Sequence, residues 1–149
     1  MSDPQELTIY YHRDLDGLAA GALLAEALES TGRERDVRWE GVNFDRTLHW
    51  KDFSLGSRFA VVDFHFHNRA DYWFDHHPTT FLTEEDEKLF IPCETRAFDP
   101  ESPSCPPLIL RHAKEYWGWD PGNRFDELVH WCNMIDSASF PSAKVALFG

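Results

Sequence analysis

Residues 18–28 (LAAGALLAEAL) would be apolar around most of the circumference of a helix, and this segment constrains the fold more than any other. Ala and Leu are the strongest helix formers and Gly32 supplies a stop, so the stretch predicts a helix that has to be buried. Before it, residues 7–12 (LTIYYH) are β-branched and aromatic and predict a strand, and residues 37–42 after it predict a second. Residues 59–62 predict a third strand running into Asp63, and residues 71–74 a weaker fourth running into Asp75. Residues 83–90 (TEEDEKLF) read as a short acidic helix or a solvated loop, and residues 98–107 (FDPESPSCPP) as a linker or long loop. Two further helices are expected at about 107–117 and 124–139. Short apolar strands alternating with helices imply one α/β domain over residues 1–149, its mainly parallel sheet flanked by helices on both faces. In such sheets the ligand site lies beyond the carboxyl ends of the strands.

Composition narrows the function classes. With 42% hydrophobic and 15% aromatic residues the chain can pack a core, which excludes wholesale disorder. No apolar run approaches the ~20 residues of a membrane span, and the opening MSDPQEL lacks the basic and apolar regions of a secretory signal. A net charge of −12 gives no general attraction for nucleic acid or an anionic membrane, so an anionic substrate needs a local device to hold it. Cys93, Cys105 and Cys132 are an odd count without a Cys-x-x-Cys pair, which argues against a disulfide framework or a thiolate zinc site. Reduced thiols in a cytoplasmic protein are the expectation.

The polar clusters follow the apolar runs. His12, Asp14 and Asp16, in His12-Arg13-Asp14-Leu15-Asp16-Gly17, occupy alternate positions, and an extended chain would point all three to one face. Two carboxylates and an imidazole so crowded repel unless protonated or bound to a cation. They suit a divalent metal, or else Asp16 caps the Ala/Leu helix and Asp14 is a turn residue. Gly17 either leaves amides open to an anion or permits tight strand–helix packing. Asp63 ends the third apolar run, as a ligand or as a turn cap. His65 and His67, alternating with Phe64 and Phe66, are read as solvated or hydrogen-bonded strand-end histidines. Asp75-His76-His77 follows the fourth run; adjacent histidines in an extended segment point opposite ways and should have different roles. Val129, Cys132 and Asp136 are spaced to share one helix face, where a carboxylate is costly unless paired, metal-bound or able to reach water.

His-x-Asp-x-Asp-Gly after the first strand, Asp after a later strand, Asp-His-His, and Asp on a late helix together resemble the DHH family of phosphoesterases. That family includes RecJ-like exonucleases, family II inorganic pyrophosphatases and hydrolases of very short RNAs, phosphoadenosine phosphate or cyclic dinucleotides. The likeness runs from Tyr10 to about Phe140, and Ser104-Cys105 and Ile135-Asp136-Ser137-Ala138 share it. The resemblance implies two divalent ions, Mn²⁺ first, with Mg²⁺, Fe²⁺ and Co²⁺ also compatible with the ligands. His12 and Asp14 would hold one ion, Asp16, His76 and Asp136 the other, and Asp63 would bridge them. Asp75 would orient His76, and His77 would face the substrate phosphate. Two such ions, ~3.5–4 Å apart, would activate a water for in-line displacement at phosphorus and supply the positive charge that the chain lacks. The implied activity is hydrolysis of a phosphodiester or phosphoanhydride bond in a small nucleotide or short oligonucleotide. Long nucleic acid is not the expected substrate for this domain alone, nor is a membrane the expected partner. A non-hydrolytic metal- or nucleotide-binding module on the same fold is the alternative. Family members usually carry a second, substrate-binding domain after this one; the expectation here is a piece of a longer protein or a minimal form, with poor substrate affinity in either case.

Overall fold

The computed structural model describes residues 6–43, 50–51 and 58–136. Among these residues nine elements follow in chain order: β1 (Glu6–His12), α1 (Leu15–Ser30), β2 (Asp36–Val42), β3 (Phe59–Val62), β4 (Tyr72–Asp75), α2 (Glu84–Leu89), β5 (Arg96–Phe98), α3 (Cys105–Trp117) and α4 (Asp126–Asp136). The strands form one all-parallel sheet in the order β2-β1-β3-β4-β5. The α/β class expected from the sequence is therefore the one observed. Because α1 carries the chain from β1 out to β2 while β3 lies on the other side of β1, the order reverses between β1 and β3. That is where a crevice opens beyond the carboxyl ends of such a sheet.

Alternation along the strands separates two cores. Leu7, Ile9, Ala60, Val62, Tyr72 and Phe74 point to the face covered by α1 and α3. Tyr10, Phe59, Val61 and Trp73 point to the other face, where Trp50, Phe64, Phe66 and Ala70 pack, with Phe81, Leu82 and Phe90 against them. The expectation of helices on both faces is thus met fully on one face. On the other, an aromatic layer from connecting segments does most of the covering among the described residues, with only the short α2 framed there by Leu82 and Phe90. Large aromatic rings each remove much apolar area from water, and here they meet edge to face, as Phe66 and Trp73 do at 5.0 Å.

α1 begins earlier than expected because Asp14, not Asp16, is its N-cap, accepting a hydrogen bond from the Gly17 amide at 2.8 Å. Gly17 is required for packing: a Cβ there would lie 1.9 Å from the His12 carbonyl oxygen. With its amide committed to Asp14, the anion-binding role for Gly17 falls away. The expected linker resolves into the end of β5, a short turn and the first residues of α3, with Ser104 as N-cap. β5 itself escaped sequence reading, being three half-buried residues long. The expected last helix runs from Asp126 to Asp136; residues 137–139, and with them Ser137-Ala138 of the fourth motif, lie outside the described residues. Among the described residues no helix is long and apolar enough to cross a membrane.

Candidate metal centre

The carboxyl ends of three strands deliver the site. His12 is the last residue of β1, Asp63 follows β3 directly, and Asp75 closes β4 with His76 and His77 after it. Asp14 and Asp16 come from the start of α1, and Asp136 from the far end of α4. Three groups of metal-competent side chains gather there, the ligand atoms of each group lying within 4.8 Å of one another: His12 with Asp14 and Asp63; Asp16 with His76 and Asp136; and Asp63 with Asp75, His76 and His77. Every site residue expected from the sequence belongs to one of these groups.

Asp63 is the centre of the arrangement. It is completely buried and sits in the left-handed backbone region at φ 58°, the one described non-glycine residue to do so. Its Oδ2 lies 3.8 Å from His12 Nδ1, while its Oδ1 lies 3.3 Å from His76 Nε2 and 3.7 Å from His77 Nδ1. Each oxygen therefore addresses a different half of the cluster, at distances longer than a good hydrogen bond. Neither oxygen accepts a hydrogen bond of normal geometry among the described residues. A buried carboxylate left in this state is costly unless something positive completes it.

The histidines are held in different ways. His12 Nδ1 lies 3.0 Å from Asp14 Oδ2, and the Asp63 and Asp14 carboxylates raise its pKa against the pull of burial. His76 donates through Nδ1 to the Ser102 carbonyl at 3.1 Å, since a carbonyl can only accept. That turns His76 Nε2 towards Asp16 Oδ2 at 3.0 Å and Asp136 Oδ2 at 3.3 Å. Burial pulls the His76 pKa down, but Asp16 and Asp63 outweigh it and push it up to about 11. A protonated imidazole thus occupies the place a cation would take in neutralising these carboxylates.

Asp75 corrects the sequence expectation. It does not orient His76; its Oδ1 bonds His77 Nδ1 at 2.7 Å and, as the main cause, pushes the His77 pKa up to about 9. The resemblance implied the 75–76 pair, but the carboxylate bonds the residue two positions on. The two imidazoles do not point opposite ways as expected: their ring centroids are 4.4 Å apart and both face Asp63 Oδ1, while their Nδ1 atoms have different partners, the Ser102 carbonyl for His76 and Asp75 for His77. The spacing argument for His12, Asp14 and Asp16 also changes. Only His12 is in a strand, and the turn into α1 sends Asp14 to the His12 group and Asp16 to the His76 group.

Crowding leaves its mark on the acids. Burial raises the Asp16 pKa, and burial with the Asp16 charge pushes Asp136 up to about 6. A cavity of about 40 Å³ lies among Asp14, Leu15, Asp16, Cys132, Ile135 and Asp136, room for one small occupant. The Cys132 thiol beside it is pushed up to about 12 by burial and stays protonated, so no thiolate joins the ligand set. His65 and His67 stand apart from the three groups: His65 Nδ1 faces the Thr80 carbonyl at 3.2 Å and His67 Nδ1 accepts from the Arg69 amide at 3.2 Å. The hydrogen-bonded reading holds for both, although His67 is buried rather than solvated.

Sequence reasoning missed the contribution of the turn after β5. Its Ser102 carbonyl orients His76, and the Cys105 amide donates to Asp16 Oδ1 at 2.9 Å. Both are backbone groups, for which sequence carries no signal. No protein-family model matches this chain, and a search of curated proteins finds no match.

Proposed function

We propose that the chain is a metal-dependent phosphoesterase domain of the DHH type, hydrolysing a phosphodiester or phosphoanhydride bond in a small nucleotide or short oligonucleotide. The observation that carries the proposal is Asp63, a fully buried carboxylate whose two oxygens face separate sets of donors with no hydrogen bond of normal geometry at either among the described residues. Asp14, Asp16, Asp75 and Asp136 surround it, an acid excess that the nearby imidazoles do not balance. The donors fit a pair of divalent cations: His12 and Asp14 for one, Asp16, His76 and Asp136 for the other, and Asp63 between them. Four carboxylates and two imidazoles suit Mn²⁺ first, with Mg²⁺, Fe²⁺ or Co²⁺ compatible.

Such a pair, when bound, lowers the pKa of a coordinated water and takes up charge on phosphoryl oxygens. The chain's own residues have separable tasks. Asp75 holds His77 through Nδ1, leaving the other ring nitrogen of a side chain that is 33% exposed. Held protonated near neutrality, His77 donates a hydrogen bond to a phosphoryl oxygen or a proton to the leaving group. Asp14 spends Oδ1 on the cap of α1 and keeps Oδ2 for the site. A net charge of −12 supports a small phosphorylated substrate over long nucleic acid or a membrane surface, and three unpaired thiols support a reducing, cytoplasmic location.

The test is to strip the protein with a chelator, refill it with Mn²⁺, count ions per chain and assay a chromogenic phosphodiester. Two ions and Mn²⁺-dependent hydrolysis are expected. Two ions with no hydrolysis would favour the non-hydrolytic metal-binding module; no bound ion would overturn the phosphoesterase and the metal-binding module alike.

A further inference from the structure

The segment from the turn after β5 to the first residue of α3 holds none of the expected ligands, yet it bonds His76 and Asp16 directly and the helix that carries Asp136. The Ser102 carbonyl accepts from His76 Nδ1 at 3.1 Å, and Ser102 Oγ donates to the Ser104 carbonyl at 2.7 Å, bracing the turn. The Cys105 amide donates to Asp16 Oδ1, which leaves Asp16 Oδ2 as the oxygen 3.0 Å from His76 Nε2. The third connection is indirect. Ser104 Oγ donates to Asn133 Oδ1 at 2.5 Å, and Asn133 lies one turn before Asp136 on the same side of α4.

Ser104 is used unusually. It is fully buried at the N-cap of α3, where a serine oxygen ordinarily accepts a hydrogen bond from its own helix. Here its side chain makes no such bond and joins a neighbouring helix instead. The neighbour needs it. Among the described residues of α4 only Cys132 and Met134 are buried, with Leu128, Val129, Trp131 and Ile135 half-buried, so a polar link adds to a modest apolar contact. Asp136 is the last described residue of that helix, its side chain still 23% exposed, and ligand geometry tolerates displacements of only ~0.5 Å.

We infer that Ser104 and Asn133 form a positioning link that sets Asp136 opposite Asp16 and His76 and so governs the second cation position. The inference rests on the two-cation reading above. Asp136, which follows Asn133 by one turn, belongs to the Asp16–His76 group and not to the His12–Asp14–Asp63 group, so loss of the link should be felt by one ion and not the other. Groups that orient a ligand rather than bind the metal typically change metal affinity by ~10–100-fold when removed.

The experiment titrates chelator-stripped full chain with Mn²⁺ by calorimetry and follows the spin-coupled manganese signal by electron paramagnetic resonance. Wild type should bind two ions and show the coupled signal at two equivalents. Ser104→Ala and Asn133→Ala should each weaken one ion by ~10–100-fold and leave the other unchanged, replacing the coupled signal by that of an isolated ion. Ser104→Thr, which keeps the hydroxyl, should restore both ions. Melting of the metal-free variants checks that the fold is intact. Equal weakening of both ions, or of neither, overturns the link while leaving the two-cation centre standing. A wild type that binds no pair overturns the centre itself, and the link with it.

Discussion

Asp63 concentrates two costs in one residue, a left-handed backbone and a buried charge. Its amide is committed to the Phe74 carbonyl at 2.9 Å, which fixes the turn between β3 and β4, so the strain is held by the sheet. Asn tolerates the same backbone region, and Asp63→Asn therefore removes the charge with little change of conformation. Bound Mn²⁺ should fall from two ions per chain to none, by metal analysis after gel filtration; retention of two would show that Asp63 is not the bridge. Asp63→Ala should lose both ions as well and add ~1–2 kcal/mol of backbone cost. His77→Gln should keep both ions and lose ~10²–10⁴-fold in turnover, which separates proton donation from metal binding. Asp75 holds the His77 imidazolium, so Asp75→Asn should lower the His77 pKa from about 9 towards its ordinary 6.5 in the metal-free protein. A His77 titration by NMR that stays where it was would break the assigned pair.

α1 joins fold and site, because one carboxylate begins the helix and also faces His12. Its register is set where Gly17 meets the His12 backbone, and the two glycines of this helix should answer differently to alanine. At Gly17 the added carbon would meet the His12 carbonyl oxygen at 1.9 Å, so backbone has to move and about 1–3 kcal/mol of stability should be lost. At Gly21 the nearest atom is Tyr11 Cβ at 3.5 Å, an ordinary contact, and Ala should stabilise the helix by about 0.5–1 kcal/mol. Urea unfolding of the two variants compares them directly. A Gly17→Ala protein as stable as wild type would mean that β1 and α1 do not approach as closely as described.

For the molecule as a whole, the cluster links stability to pH and to metal. His76 and His77 have folded pKa values of about 11 and about 9, both raised above the unfolded value. The stability they lend is fully present below about pH 6.5 and is lost as pH rises through 9 and 11. The metal-free protein should therefore melt at lower temperature as pH goes from 7 to 10. Metal works in the opposite sense, since a cation has to displace the His76 proton and binds better as that proton becomes easier to remove. Saturating Mn²⁺ should raise the melting temperature, and the increment should grow with pH over the same range. An increment that is absent, or that shrinks with pH, would count against a centre in which His76 is a ligand.

The apolar runs and the Ala/Leu helix determine the α/β class, since burying that helix and alternating the strands leaves little else. The residue types after each strand also mark the site. Only the tertiary structure decides how those residues are shared. The chain leaving β4 gives Asp75 to His77, the turn at Asp14 sends Asp14 and Asp16 to different groups, and backbone groups at Ser102 and Cys105 aim His76 and Asp16. A sequence states which side chains exist and, through their periodicity, which face they share locally. The partner of a carboxylate is set by which chain segments the folded sheet brings within hydrogen-bond reach, and carbonyl and amide groups, alike in every residue, take part in that choice without leaving a mark in the sequence.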